Sequence, residues 1–222
     1  MSLILNIDTA LETAAVCLAR DGEVVNAMIN SVQSDHAAWL HPAIADLLKQ
    51  NGNSIDELDA VAVSIGPGSY TGLRVGLAAA KGFCFALKIP LITVKTLEIM
   101  AYTVKDQATG LIAPLIDARR MEVFAAVYDK ELNERIAPHA LVLDEHSFGS
   151  ILVLNKILFC GSGSRKLQTV LSHSNASIIE MGVTHYSLAK MSYKYFLTKR
   201  FADVAYIEPM YLKDFHISNR KD

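Results

Sequence analysis

The chain has 222 residues, 51% of them hydrophobic, with 21 lysines and arginines against 23 aspartates and glutamates. That length suits one large domain or two small lobes and excludes a long multidomain machine, while the apolar share is ample for a core. A formal charge of −2 argues against a protein that grips nucleic acid through bulk charge alone, so any such contact has to be local or shared with a partner.

Cys17, Cys84 and Cys160 lie far apart and form no CxxC pair, which suggests neither a disulfide framework nor a thiolate zinc site. A reducing cytoplasm fits best. No basic stretch precedes the first apolar run, Asp8 interrupts that run, and the apolar stretch 75–94 carries Lys81 and Lys88. Neither a signal peptide nor a membrane span is expected.

In chain order, residues 3–8, 14–20 and 23–29 read as a strand meander, with Asp21-Gly22 marking a tight turn. A helix follows over 35–51, with Ser34 or Asp35 as its cap, Leu40, Ile44, Leu47 and Leu48 at helical spacing, Pro42 as a bend and Gly52 as the stop. Residues 61–65 form a short buried strand, 66–72 a glycine-rich turn, 73–87 a second helix and 91–94 another strand. Thr96 then caps a helix to Val104. Beyond the polar 105–110 stretch, strands are expected at 111–117, 122–128, 140–143 and 157–160. Helices are expected at 147–154, 164–171 and 187–201, and the tail 207–215 looks extended.

One pattern occurs twice. Leu3-Ile-Leu-Asn-Ile-Asp8 followed by Ala14-Ala15-Val16 matches Leu111-Ile-Ala-Pro-Leu-Ile-Asp117 followed by Ala125-Ala126-Val127: an apolar strand ending in Asp, a turn and a returning strand. This predicts two similar α/β lobes, divided at 1–104 and 105–222.

Gly66-Pro67-Gly68-Ser69-Tyr70-Thr71-Gly72-Leu73-Arg74-Val75-Gly76 is the most unusual segment. Between a strand and a helix it reads in two ways. It is a tight turn capped by Ser69 or Thr71, with its glycines allowing close packing, or it is an anion site at a helix N-terminus, with Gly66, Gly68, Ser69, Thr71 and Gly72 as phosphate contacts. It is neither a P-loop nor GxGxxG. Asp8 and Asp117, at the ends of the repeated strands, could hold a magnesium nucleotide in a shared cleft. The turns after them, Thr9-Ala10-Leu11-Glu12 and Ala118-Arg119-Arg120-Met121, contain no glycine and place amides poorly for phosphate.

His36 and His41 are five residues apart, hence about 140° apart around a helix, and are badly placed to share a metal. There is no HExxH. Gly161-Ser162-Gly163-Ser164 resembles a nucleophile motif only superficially and reads as a strand-to-helix turn with a capping serine. Trp39, Leu40, Ile44, Leu47 and Leu48 make a wide apolar arc on the first helix, which serves either the lobe's own core or a docked partner. Lys190, Lys194, Lys199, Arg200, Lys213, Arg220 and Lys221 make the C-terminal stretch locally basic, a solvated face or an RNA contact.

The start Ile4-Leu-Asn-Ile-Asp8-Thr9, the run Gly66-Pro-Gly-Ser-Tyr-Thr-Gly-Leu-Arg-Val-Gly-Leu-Ala-Ala-Ala-Lys-Gly82, Pro114-Leu-Ile-Asp117-Ala-Arg119 and Glu208-Pro-Met-Tyr211-Leu resemble the bacterial TsaB (YeaZ) family. The resemblance covers nearly the whole chain, and the 66–82 run is its specific part. It implies an actin-like, sugar-kinase-like (ASKHA) α/β fold of two duplicated ribonuclease-H-like lobes. It also implies a part in making N6-threonylcarbamoyladenosine at position 37 of tRNAs reading ANN codons. In that family TsaB is similar to the catalytic subunit TsaD without being the transferase. TsaD's metal-binding histidines stand four apart, a spacing that His36 and His41 do not match.

The resemblance further implies pairing with a TsaD-like subunit through the N-terminal lobe, joining by a TsaE-like ATPase, and threonylcarbamoyl-adenylate supplied by TsaC. Contact with tRNA would come through the complex. On this chain the pairing is expected on the first two helices, at Trp39, Leu40, Ile44, Leu47, Leu48, Arg74 and Leu77, with a homodimer through the same patch as competitor. No tightly bound cofactor and no activity of the isolated chain are expected, ATP being taken up, if at all, at a complex interface. A small-molecule kinase using the Asp8 and Asp117 cleft is the alternative; a peptidase lacks a nucleophile or metal.

Overall fold

The computed structural model describes residues 1–32 and 35–213; Ser34, the last two residues of the expected extended tail, His216, Arg220 and Lys221 lie outside that range. The first sheet contains β1 (Leu3–Asp8), β2 (Ala14–Arg20), β3 (Glu23–Asn30), β4 (Ala60–Ser64) and β5 (Leu91–Val94), in the order β3-β2-β1-β4-β5. β1 pairs antiparallel with β2 and parallel with β4. The second sheet contains β6 (Leu111–Asp117), β7 (Glu122–Tyr128), β8 (Glu134–Val142), β9 (Ile157–Cys160) and β10 (Ala176–Ile179), in the order β10-β9-β6-β7-β8. Replacing β1 to β5 by β6 to β10 reproduces the first sheet strand for strand. The repeat expected from two short segments therefore extends to two whole sheets.

Two strands differ from the sequence reading, one lengthened and one not expected. β8 runs from Glu134, and only its apolar end is legible, because Pro138 and exposed residues mark it as an edge strand. β10 is four residues at the opposite edge, too short and half-exposed to show periodicity.

Among the described residues, six α-helices cover the sheets: α1 (His36–Gln50), α2 (Tyr70–Leu87), α3 (Thr96–Val104), α4 (Gly149–Leu152), α5 (Ser164–Val170) and α6 (His185–Leu197). Several expected caps differ. Asp35 occupies the cap position of α1 without a side-chain bond. Lys95, not Thr96, precedes α3. Gly163 precedes α5, whose Ser164 hydroxyl instead donates to the Gly161 carbonyl at 2.6 Å. α2 starts three residues earlier than expected because Ser69, not a later residue, accepts from the Gly72 amide.

The layers decide where the lobes meet. α1 and α2 pack on one face of the first sheet, in a core with Leu5, Ile7, Val61 and Val63. Its other face, with Ile4, Ala62 and Ile92, is covered by Leu188, Met191 and Tyr195 of α6. α3 contributes Leu97, Met100, Ala101 and Val104 to one face of the second sheet, beside Ile112, Ile116 and Tyr128. α5 covers the opposite face with Leu167. A cut at residue 104 thus separates the strands but not the helices: α3 comes from the first half and packs on the second sheet, and α6 does the reverse.

Candidate functional site

A cleft of about 990 Å³ opens between the lobes, and Asp8 and Asp117 both line it, with Ser69, Thr71, Arg119 and His185 among its other walls. The two strand ends thus converge as the repeat requires. Their surroundings are opposite in character.

Asp8 is 4% exposed. One carboxylate oxygen accepts from the Ser64 hydroxyl at 2.5 Å and from the Ala10 amide at 3.0 Å. Burial pushes its pKa above the ordinary 3.8, against the pull of those two bonds and of the nearby His36. His36 is itself buried, and its Nε2 has no hydrogen-bond partner among the described residues. Asp8 is therefore a carboxyl at the cleft wall held by internal hydrogen bonds, with its charged form disfavoured.

The glycines of the 66–76 segment face the chain itself. A Cβ at Gly68 would stand 2.2 Å from the Ala10 carbonyl oxygen, and one at Gly72 would stand 2.0 Å from that of Thr9. A Cβ at Gly76 would meet the Thr9 hydroxyl at 2.3 Å. The Ser69 amide donates to Ala10 at 2.7 Å, and the Thr9 hydroxyl donates to the Gly72 carbonyl at 2.7 Å. Small residues are needed here so that the start of α2 can lie directly on the turn after β1. Gly66 has φ +110°, and its backbone approaches the Met210 carbonyl. Of the two sequence readings, the capped, closely packed turn accounts for Gly66, Gly68, Ser69 and Gly72. Thr71 is the exposed member, one residue into the helix and on the cleft wall.

Asp117 is exposed. Burial would raise its pKa, but the Lys166 ammonium at 2.6 Å and the Arg119 amide at 2.7 Å outweigh that and hold it below the ordinary carboxylate value. Lys166, on α5, also donates to the Glu122 carbonyl and so clamps the β6–β7 turn from below. That turn carries Arg119 and Arg120 at φ +70° and +48°.

The apolar arc on α1 is core. Leu40, Ile44, Leu47 and Leu48 are buried among the first lobe's own residues, as is Leu77 of α2, and Trp39 is half-buried against the same cluster. For Leu40, Ile44, Leu47, Leu48 and Leu77 the expectation of a surface for a partner is corrected, because their stripe is the one inward face a helix of this amphipathicity can bury; Trp39 keeps part of its side chain exposed. Arg74 does face outward, but it is engaged. Its guanidinium lies over the Tyr70 ring at 4.1 Å, and its Nε donates to the Tyr211 hydroxyl at 2.9 Å.

The outward face differs from the arc the sequence suggested. On α1 it presents Ala37, Ala38, His41, Pro42 and Ala45, and on α2 it presents Thr71, Arg74, Ala78, Gly82 and Phe85, three or four residues apart. Phe85 is 83% exposed. His41 touches Phe83 across the helix pair, with ring centroids 5.8 Å apart. This stripe was legible as a period but not as an exposed one, because alanine and glycine look the same in a core. Lys166 and Tyr211 were also missed, since each acts through a residue far away in sequence.

Comparison with known proteins agrees with this architecture. The family model described as "TsaD: tRNA N6-adenosine threonylcarbamoyltransferase" matches residues 24–181. A protein of Escherichia coli K12 named "tRNA threonylcarbamoyladenosine biosynthesis protein TsaB" is 39% identical over 132 residues, 59% of this chain and 56% of that protein. Its namesake from Bacillus subtilis 168 is 34% identical over 142 residues, 63% of this chain and 62% of that protein. The chain thus matches less than two thirds of the length of these curated relatives. A Pseudomonas aeruginosa structure described as similar to peptidase YeaZ superposes with a TM-score of 0.83 at 24% identity, covering 96% of this chain and all of the other. This likeness shows the shared fold.

Proposed function

This chain belongs to the TsaB (YeaZ) family, and on that premise we propose that it is a non-catalytic subunit in the formation of N6-threonylcarbamoyladenosine at position 37 of tRNAs reading ANN codons. The observation that supports the non-catalytic reading most directly is the closure of the turn after β1. Gly68 and Gly72 lie against the Ala10 and Thr9 carbonyls, where an open ring of amides would be needed to cradle phosphate. Asp8 beside them is buried at the cleft wall, and its carboxylate is already engaged by the Ser64 hydroxyl.

In this reading the chain works by pairing. Its partner is a TsaD-like catalytic subunit, a TsaE-like ATPase joins the pair, and tRNA is met through the assembly in the cytoplasm. ATP is taken up where subunits meet and is not held tightly by this chain. No helix among the described residues is long and apolar enough to cross a membrane. The pairing surface is the outward face of α1 and α2, where alanine and glycine let another helix pair approach closely and Phe85 supplies an apolar anchor. A second copy of this chain would compete for the same face.

The test is Phe85→Glu in the purified chain. Loss of a hot spot costs about 2 kcal/mol or more, roughly thirtyfold in affinity, so binding to the TsaD-like protein and modification by the reconstituted system should both collapse. The melting temperature should hold, because the side chain is exposed. Unchanged binding would move the interface elsewhere. The interlobe cleft itself favours a second reading, a small-molecule kinase. Saturable ATP binding and turnover by the isolated chain, lost in Asp8→Ala, would support the kinase over the scaffold.

A further inference from the structure

The C-terminal segment takes a path that neither lobe's fold requires. After α6 the chain crosses to the first sheet, where the Ala202 amide donates to Leu91 at 2.8 Å. It then runs along α2, held by Lys81, whose ammonium donates to the Ala205 and Ile207 carbonyls at 3.2 Å each. The Met210 amide donates to the Ile65 carbonyl at 2.7 Å, beside the positive-φ Gly66. Tyr211 stacks on Tyr70, with centroids 5.0 Å apart, and accepts from Arg74. Val204 and Ile207 pack into the first lobe's core, so up to this point the segment belongs to that lobe.

Two residues later it leaves that lobe. Lys213 forms an ion pair with Glu122, the first residue of β7, whose side chain is 19% exposed. Glu122 lies just after the β6–β7 turn that carries Ala118 and Arg119 on the cleft wall, and Tyr70, beneath Tyr211, lines the opposite wall. The segment therefore spans the cleft rim, anchored on the glycine-rich turn at one end and on the Asp117 turn at the other. The main chain itself passes between the lobes ahead of α3 and at 180–184, and the Lys213 to Glu122 contact adds a non-covalent tie.

The geometry points to residues 202–213 acting as a latch that sets how widely the two lobes open, with the Lys213 and Glu122 pair as its catch. An ion pair of this exposure changes an equilibrium by up to roughly fivefold, enough to bias a hinge without locking it. The latch is independent of the pairing function proposed above, since it concerns the angle within one chain.

Paired spin labels at Lys49→Cys on the first lobe and Val153→Cys on the second report that angle directly, because both positions are exposed and the three native cysteines are buried. In Lys213→Glu, which turns the attraction into repulsion, the interlobe distance should lengthen and its distribution broaden. The charge swap Lys213→Glu with Glu122→Lys should restore the parent distribution. An unchanged distribution in the single variant, or a swap that leaves it broadened, would overturn the latch.

Discussion

Asp8 and Asp117 end equivalent strands of duplicated lobes and line one cleft, yet one is buried at its wall and the other stands in solvent. The cause lies in the turn and helix that come after the neighbouring parallel strand. After β4, a glycine-rich turn feeds an 18-residue helix whose first turn lies on Thr9 and Ala10, the two residues that follow Asp8. After β9, the turn at Gly161 and Ser162 feeds a helix of only 7 residues that meets β6 at Leu115, two residues before Asp117, and leaves the Asp117 carboxylate exposed. Both turns begin with a positive-φ glycine, Gly66 and Gly161, so the duplication persists in the backbone. The lobes differ in where the next helix meets the first strand, after Asp8 in one and before Asp117 in the other, and that position sets how far each aspartate is exposed. A duplicated fold can thus retain both strand-end carboxylates while one is bonded internally and the other is exposed.

The sharpest way to break this comparison is to force the helices off their turns. Gly72→Ala drives a methyl into the fixed Thr9 carbonyl and should cost about 3 kcal/mol or more, whereas Gly163→Ala meets mainly the Val123 and Leu115 side chains and should cost about 1 kcal/mol. Chemical denaturation of both variants checks the ratio; equal costs would mean the two turns are packed alike.

The pH dependences should differ in sign. With its folded pKa raised, Asp8 contributes stability that is complete below the ordinary 3.8 and is lost as pH rises through the folded value. Asp8→Asn, which cannot ionise, should gain on the parent as pH climbs above 3.8. Asp117, with its pKa lowered, contributes stability above 3.8 that is lost as pH falls through its folded value, so Asp117→Asn should converge with the parent in acid. Thermal melts across the acid range measure both slopes, and parallel slopes would contradict the opposite environments.

The smallest effect is expected from Lys166→Met. Its partner Asp117 is well exposed, so solvent screening leaves the pair worth less than about 1 kcal/mol. The informative readout is the Asp117 carboxyl itself, whose titration followed by NMR should move back up toward 3.8.

Much of the frame was legible. Apolar runs ending in Asp, the Asp21-Gly22 turn and the helical spacing on α1 located most strands and helices, because each signal is local. The edge strands β8 and β10 were shortened or missed, since an edge strand is half-solvated and loses its alternation. The cleft was legible only through the repeat, which placed Asp8 and Asp117 together. The role of the glycine run was not, since glycines that admit a phosphate and glycines that admit a carbonyl have the same spelling.

The amino-acid order by itself determined the duplicated strand pattern, the helix that must follow a glycine-rich turn, and the helical apolar period of α1. These depend on periodicity and on backbone freedom within a few residues. Only the tertiary structure decided that α3 and α6 exchange lobes, that Leu40 and Ile44 face inward while Phe85 faces out, and that Asp8 is closed off while Asp117 is open. Each of those outcomes depends on which distant surface a segment packs against, and burial is a property of that pairing, which no residue carries alone.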